Sequence, residues 1–134
     1  MLVAAAVTLA ACVHNFRLKP GPVQWYDGPA RAADSVAVLE NATTMYIESV
    51  DHRSLRRYSL NEDVVWIQLL PGRHTFVAGP AERGGYSSTE SLEVSFLAQT
   101  GHRYRVSRRT SGGSGGLGWD LVLTDLTTGR EEAL

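Results

Sequence analysis

The chain has 134 residues, with 13 lysines and arginines against 14 aspartates and glutamates, so its formal net charge is −1. A protein dedicated to nucleic acid needs an excess of cations to neutralise phosphates, and this charge balance excludes that class. The single cysteine excludes an internal disulfide, so packing alone has to stabilise the fold. A chain of this length is expected to form one small domain.

An apolar run from Leu2 to Ala11 ends at Cys12, the only cysteine. The run is about half as long as the roughly 20 residues that a membrane-spanning helix needs, and it matches the core of a signal peptide. The sequence Leu9-Ala10-Ala11-Cys12 resembles the lipobox of bacterial lipoproteins, where the cysteine is acylated and the preceding peptide is removed. The resemblance implies that residues 1–11 are a signal peptide and that Cys12 carries lipid.

One feature departs from the signal-peptide pattern, because no lysine or arginine precedes the apolar run. Either the true start lies upstream or the segment is not a signal. The alternative is a buried amino-terminal strand or helix in which Cys12 is an ordinary core residue. If the cysteine is acylated, resemblance to enterobacterial sorting, in which aspartate after the cysteine retains a lipoprotein at the inner membrane, implies that Val13 favours the outer membrane on its periplasmic side.

Residues 12–33 contain three prolines and have neither helical nor alternating apolar periodicity. This composition predicts an extended, lipid-anchored tether in front of a domain that covers residues 34–134. Trp25 and Tyr26 interrupt the tether. The favoured interpretation is that the two aromatic rings pack back onto the domain and mark the end of the tether, and the alternative is a contact with the lipid interface.

Short apolar runs separated by turn signals fill residues 34–134. The clearest is the alternation of Leu92, Val94 and Phe96 with polar neighbours, which is typical of a half-buried strand. The predicted strands cover residues 35–39, 45–50, 64–70, 74–78, 92–96, 102–107 and 119–124. About seven short strands without a full-length amphipathic helix predict an all-β fold, a two-sheet antiparallel sandwich of the immunoglobulin- or transthyretin-like kind.

Four more detailed expectations concern individual strands and their connections. The apolar run 64–70 predicts a central strand that is covered on both faces, with Trp66 filling one side. Pro71-Gly72 predicts a type II turn in which glycine takes a positive φ, and residues 79–89 predict a polar loop. Gln99-Thr100-Gly101 predicts the turn of a hairpin between the strands at 92–96 and 102–107.

The turn sequences carry a resemblance to known proteins. Leu69-Leu70-Pro71-Gly72-Arg73-His74-Thr75, followed by Thr100-Gly101-His102-Arg103-Tyr104-Arg105, resembles small bacterial lipoproteins of unknown function, which are similar to PEGA-type and transthyretin-like sandwich modules. The resemblance covers roughly the middle half of the chain and consists of structural turns. It therefore implies a fold without implying a reaction.

The glycine-rich stretch before Trp119 matches two catalytic motifs by spacing. Gly113-Ser114-Gly115-Gly116-Leu117-Gly118 fits the dinucleotide-binding fingerprint, and residues 112–116 fit a nucleophile elbow. Both motifs need a helix directly after the glycines, and here the next predicted element is a strand. Low sequence complexity explains both matches, so we expect neither a nucleotide cofactor nor a catalytic serine.

His74 and His102 each follow a turn and are the remaining candidates for chemistry. A metal ion needs two or three such side chains that converge, and the chain contains no closely spaced histidine pair of the kind that binds metal. We therefore expect two polar residues at the ends of turns and no metal site. The alternative is an exported metal-binding protein or a small enzyme that uses His74 and His102.

The candidate binding residues are four arginines in and after one predicted strand. Arg103 and Arg105 alternate with the apolar Tyr104 and Val106, and Arg108 and Arg109 follow. Such a cluster predicts contact with an anionic surface, either lipid headgroups or an acidic envelope polymer. The alternative is a solvated strand whose arginines protect a sheet edge.

Together these patterns predict a lipid-anchored, non-catalytic β-sandwich of a bacterial envelope that acts as a binding or assembly accessory. Its expected partners are the membrane, through the lipid on Cys12, and either an anionic envelope component or an envelope protein.

Overall fold

The computed structural model describes residues 22–56, 64–82, 85–86, 91–110 and 118–134. These residues form eleven β-strands and one 3-10 turn, Ala33–Ser35. The strands are β1 (Val23–Gln24), β2 (Ala37–Asn41), β3 (Met45–Val50), β4 (Arg53–Ser54), β5 (Trp66–Leu69), β6 (Gly72–Glu82), β7 (Gly85–Tyr86), β8 (Leu92–Ala98), β9 (Arg103–Thr110), β10 (Trp119–Asp125) and β11 (Arg130–Glu131). Seven of them have four residues or more, which agrees with the number expected from the sequence.

The strands form two sheets, which confirms the predicted two-sheet sandwich. The first sheet has six strands in the order β1-β5-β2-β9-β10-β11. The second has five strands, with β4-β3-β6-β7 in order and β8 paired with β6. Strands β3 and β8 pair with overlapping residues of β6, so they lie on opposite edges of that long strand.

The core consists of the apolar residues that alternate along the strands of both sheets. In β9, for example, Tyr104 and Val106 are buried while Arg103 and Arg105 are exposed, as the period of two requires. Phe96 packs edge-on against Phe76 and Tyr104, with ring centroids 5.7 and 5.0 Å apart. These aromatic contacts join β6 and β8 of the second sheet to β9 of the first, so they hold the two layers together.

The first sheet contains two parallel pairs, β1 with β5 and β2 with β9, among otherwise antiparallel pairs. The expected hairpin between the strands on either side of Gln99-Thr100-Gly101 is wrong, because β8 pairs with β6 and β9 pairs with β2 and β10. The turn at Gly101, which has φ +77°, therefore carries the chain from one sheet to the other. A turn signal marks a reversal of the chain, but it does not say whether the two strands share a sheet.

The structure also corrects the expected domain boundary. The sequence placed residues up to 33 in the tether, but Val23 and Gln24 pair with β5 and Trp25 belongs to the core. The Trp25 indole N–H donates to the carbonyl of Val50 at 3.1 Å, and the Arg53 guanidinium lies 4.5 Å from the ring centroid. Tyr26 is also buried, so the favoured interpretation of this aromatic pair is confirmed.

Strand β5 is not covered on both faces. Ile67 and Leu69 are buried, whereas Trp66 is 37% exposed on the outer face of the first sheet. An apolar run does not by itself distinguish one covered face from two, and here the outer face of β5 has no layer packed on it from the described residues.

The expected polar loop at 79–89 is also wrong in part, because β6 continues to Glu82 and β7 begins at Gly85.

Two further turns contain residues with positive φ. Gly72 has φ +130°, as the predicted turn requires. The turn between β3 and β4 has only two residues between the paired Val50 and Arg53, and these residues, Asp51 and His52, have φ +49° and +63°. Positive φ at both central positions defines a type I′ hairpin turn, which usually contains asparagine and glycine.

Candidate functional site

The outer face of the first sheet carries three of the four candidate arginines. Arg103, Arg105 and Arg109 alternate along β9 and are exposed. Arg108 is half-buried and pairs in register with Leu121, so it lies on the other side of the strand. The structure therefore brings Arg103, Arg105 and Arg109 onto one face and leaves Arg108 out.

Glu40 of β2 connects two of these arginines. The Arg103 guanidinium donates to Glu40 Oε1 at 2.9 Å, and Nη2 of Arg105 lies 3.5 Å from Oε2. The Glu40 side chain is only 5% exposed, while the Arg103 and Arg105 side chains are 54% and 46% exposed. A buried carboxylate needs charged partners, and here the two guanidinium groups supply them. Each arginine is thereby held at its position with much of its guanidinium facing solvent.

The acidic residues on this face offset the charge of its arginines. Arg109 forms an ion pair with Glu131 of β11, and Asp120 of β10 is its register partner. In the described strands of this face, Arg103, Arg105 and Arg109 therefore stand against Glu40, Asp120 and Glu131. The local positive field that the sequence predicted is weaker than four adjacent arginines would produce, because exposed charges that lie this close together largely cancel at a distance.

Trp66 completes the surface and is the residue that sequence reasoning placed wrongly. Glu40 pairs in register with Trp66 on one side and with Arg105 on the other. Neighbouring strands are about 4.8 Å apart, so the indole and the Arg105 side chain stand about 10 Å apart across Glu40. We call Trp66, Glu40, Arg103 and Arg105 the Trp66–Arg105 surface. The signal for Glu40 was a charged residue directly after a short β-branched run, but its arginine partners become visible only through the parallel β2–β9 pairing.

His74 is fixed by two acceptors. Its Nδ1 lies 2.6 Å from Asp51 Oδ2, and its Nε2 lies 2.6 Å from the Leu70 carbonyl oxygen. The second Asp51 oxygen accepts from the Thr75 backbone N–H at 3.0 Å. Both ring nitrogens are therefore occupied in joining the type I′ turn to the turn that precedes β6. This arrangement leaves neither nitrogen of His74 for a metal ion.

His102 has a different partner, Asp125, at the end of β10. Its Nδ1 lies 2.6 Å from Asp125 Oδ2, while Asp125 Oδ1 accepts from the backbone N–H groups of Thr127 and Thr128. Asp125 is 2% exposed, so this carboxylate sits inside the domain at the start of the β10–β11 turn. A histidine oriented by a buried aspartate supplies two of the three members of a catalytic triad, but no nucleophilic side chain is hydrogen-bonded to His102 among the described residues.

The surroundings of Asp125 and Tyr104 shift their protonation equilibria. Burial raises the pKa of Asp125, but the hydrogen bonds from His102, Thr127 and Thr128 outweigh that effect, so the pKa of Asp125 lies below its ordinary value. The pKa of Tyr104 is raised, mainly by burial and against the hydrogen bond that its hydroxyl accepts from the Gln99 N–H. At neutral pH the two groups are therefore a carboxylate and a neutral phenol.

The two histidines do not form one site. Between them lie Phe96 and Tyr104, in a chain of ring contacts with centroid distances of 6.4, 5.0 and 6.3 Å. Across the part of the chain that the structure describes, no group of three histidine, cysteine or acidic side chains is placed to hold a metal ion. His74, within β6, and His102, just before β9, each hold a nearby turn through an aspartate.

Other residues singled out from the sequence lie outside the described residues. They are Cys12 with its apolar run, and the glycine-rich stretch up to Leu117. In the ranges that are described, no helix is long and apolar enough to cross a membrane.

Comparison of the chain with protein-family models, curated proteins and solved structures found no match. The similarity to PEGA-type and transthyretin-like lipoproteins remains a prediction from turn motifs.

Proposed function

We propose that this protein is a lipid-anchored, non-catalytic component of a bacterial envelope that binds a partner through the Trp66–Arg105 surface. Anchoring is inferred from Leu9-Ala10-Ala11-Cys12. Support for a binding role comes from the surface itself, where a buried carboxylate holds two exposed arginines beside an exposed tryptophan. The fixed side chains lose little conformational entropy when a ligand binds, which favours recognition.

The chemistry of this surface suits an anionic envelope component. Guanidinium groups bind phosphate and carboxylate through paired N–H donors, and an exposed indole offers a flat apolar contact next to them. Because the charges on the face nearly balance, we expect affinity to depend on these local hydrogen bonds more than on long-range attraction. The two candidate ligands remain anionic headgroups and an acidic envelope polymer.

The anchor is tested by mass spectrometry of the protein isolated from its membrane. We expect an amino terminus at Cys12 that carries lipid. Recovery of an intact Met1, or of a free thiol on a soluble form, would contradict the anchoring proposal.

The binding surface is tested with the triple variant E40Q/R103Q/R105Q. Replacing Glu40 together with its partners avoids a buried unpaired carboxylate, and the net charge falls by one. The matched control is Arg73→Gln, which also lowers the net charge by one but changes an exposed residue of the second sheet. Both variants are compared with the wild type for binding to vesicles with and without anionic lipid, and to purified acidic envelope polymer, at low and moderate salt.

We expect weaker binding by the triple variant and near wild-type binding by R73Q. Binding to the polymer alone would select the polymer as ligand, and binding to anionic vesicles alone would select the membrane. Equal losses in both variants would mean that only net charge matters, and unchanged binding in both would remove the Trp66–Arg105 surface from the function.

A further inference from the structure

The longest exposed sheet edge in the described structure belongs to β8. Its seven residues pair with β6 on one side, and no other described strand pairs with the opposite side. The other edge strands, β1, β11, β4 and β7, have two residues each and cover their neighbours only in part. Strand β10, for example, pairs with β11 only at Thr124 and Asp125, which leaves a shorter stretch of its edge without a described partner strand. An unpaired strand presents a row of backbone N–H and C=O groups that can bind another strand.

Strand β8 has few of the devices that usually protect such an edge, since Glu93 is its only charged residue. It contains no proline, lysine or arginine, and its register with β6 runs without a bulge from Leu92 to Ala98. By contrast, β3 has a register shift between Ile47 and Ser49. The outward residue Leu97 is 56% exposed, which is unusual for a large apolar side chain on an edge strand.

We propose that β8 pairs antiparallel with β8 of a second copy of this chain, which joins two second sheets into one continuous sheet. Ser95 is the central residue of β8, so a two-fold axis at Ser95 lets all seven residues pair. In this register Glu93 faces Leu97 of the other copy, and Ser95 faces its own equivalent. On the core side Val94 faces Phe96, a β-branched residue against an aromatic ring.

The choice of a second copy rests on this self-complementarity. No two like charges face each other in the centred register, because Glu93 is the only charged residue of β8. Leu92 and Val94 are only partly buried at the rim of the core, and a neighbouring strand would cover them further. The contact uses main-chain hydrogen bonds for affinity and alternate side chains for register, as in other strand additions.

The register predicts opposite effects for two changes at Leu97. Leu97→Lys places a cation opposite Glu93 of the other copy, whereas Leu97→Glu places two carboxylates opposite each other. Each contact occurs twice by symmetry, so we expect the dimer Kd of L97E to exceed that of L97K by about tenfold. Within one copy Leu97 faces Arg73 of β6, so the monomer should favour L97E over L97K, which is the opposite of the order expected for the dimer.

Sedimentation equilibrium of the full chain in density-matched detergent measures this difference, and circular dichroism checks that each variant is folded. The expected result is a monomer–dimer equilibrium for the wild type. The dimer Kd of L97E should be about tenfold higher than that of L97K. A wild type that stays monomeric at every concentration would overturn the proposal. A larger assembly, or equal Kd values for L97K and L97E, would overturn it as well.

Discussion

At the scale of single residues, the buried Asp125 accepts hydrogen bonds from one side chain and two backbone N–H groups. One oxygen contacts His102, and the other accepts from the N–H groups of Thr127 and Thr128 in the following turn. The carboxylate is buried, so its hydrogen bonds act with little competition from water. Asp125 therefore fixes both the end of β10 and the position of His102.

The lowered pKa of Asp125 predicts an acid-sensitive fold. The unfolded carboxyl titrates at about pH 3.9, and the folded one titrates at lower pH. The stabilisation from Asp125 is thus present above about pH 4 and is lost as the pH falls through the folded pKa. We expect Asp125→Asn to lower the free energy of unfolding at neutral pH by about 1 to 3 kcal/mol and to flatten the acid limb below pH 4.

Urea unfolding of the wild type and D125N between pH 7 and pH 2 measures both effects. Asp120→Asn is the matched control, since Asp120 is an exposed aspartate of the same strand. Stability curves of the wild type and D125N that run parallel down to pH 2 would show that Asp125 is not the group responsible.

The residues of the candidate surface show what sequence reasoning can reach at this scale. The alternation in β9 correctly placed Arg103 and Arg105 opposite Tyr104 and Val106, because the period of two depends only on neighbouring residues. The same reasoning missed Glu40, since its contact with Arg103 joins residues 63 positions apart. It also missed Asp51 and Asp125, because each reaches a histidine 23 positions away.

At the scale of elements, the type I′ turn between β3 and β4 carries local strain. His52 is exposed and has φ +63°, a conformation that costs a residue with a Cβ atom about 1 to 2 kcal/mol. We expect His52→Gly to raise the free energy of unfolding by about 1 kcal/mol, because removal of the Cβ relieves more strain than the added freedom of the unfolded chain costs.

Thermal or urea unfolding of H52G measures this gain. Gly129→Ala is the opposite control, because Gly129 has φ +74° and the new Cβ should destabilise that turn. A loss of stability in H52G would contradict the strain argument, as it would mean that the His52 side chain contributes a contact larger than the strain.

The bounds of the strands were predicted well where the pattern of neighbouring residues decides them. Strand β3 has the predicted bounds, 45–50, and the strand around Phe96 extends only two residues further than expected, to Ala98. Partner choice was not predictable in the same way. The sequence correctly predicted that the chain turns at Gly101. It did not predict that β9 lies in the first sheet, where Tyr104 packs across the core against Phe96.

At the scale of the whole molecule, the folded domain begins before the residue expected from composition. Trp25 packs into the core and its N–H is bonded to Val50. The prolines of this segment favoured a tether, but they do not prevent two residues of β1 from pairing with β5. A proline-rich composition indicates extended chain, and extended chain is also what a sheet edge requires.

This boundary predicts different outcomes for two truncations. A chain of residues 22–134 should unfold with the stability of the full chain. A chain of residues 34–134 should lose about 3 to 5 kcal/mol, as expected for the loss of a buried tryptophan. Urea unfolding followed by circular dichroism compares the two, and Trp25→Ala in the full chain should show a similar loss. Equal stability of both truncated chains would place residues 22–33 outside the cooperative fold.

The parallel pairing of β2 with β9 has a consequence for the order in which the protein can fold. Strand β2 lies in the middle of the first sheet, yet its neighbour β9 is made only after β3 to β8 have emerged. Closing such a distant pair costs loop entropy before any contact repays it, which slows folding. A growing chain that has not reached residue 103 can pair β2 with β5 but not with β9, so the first sheet stays incomplete until most of the chain has been synthesised. If the protein is exported as proposed, a first sheet that cannot be completed early helps to keep the chain unfolded for passage through a secretion channel.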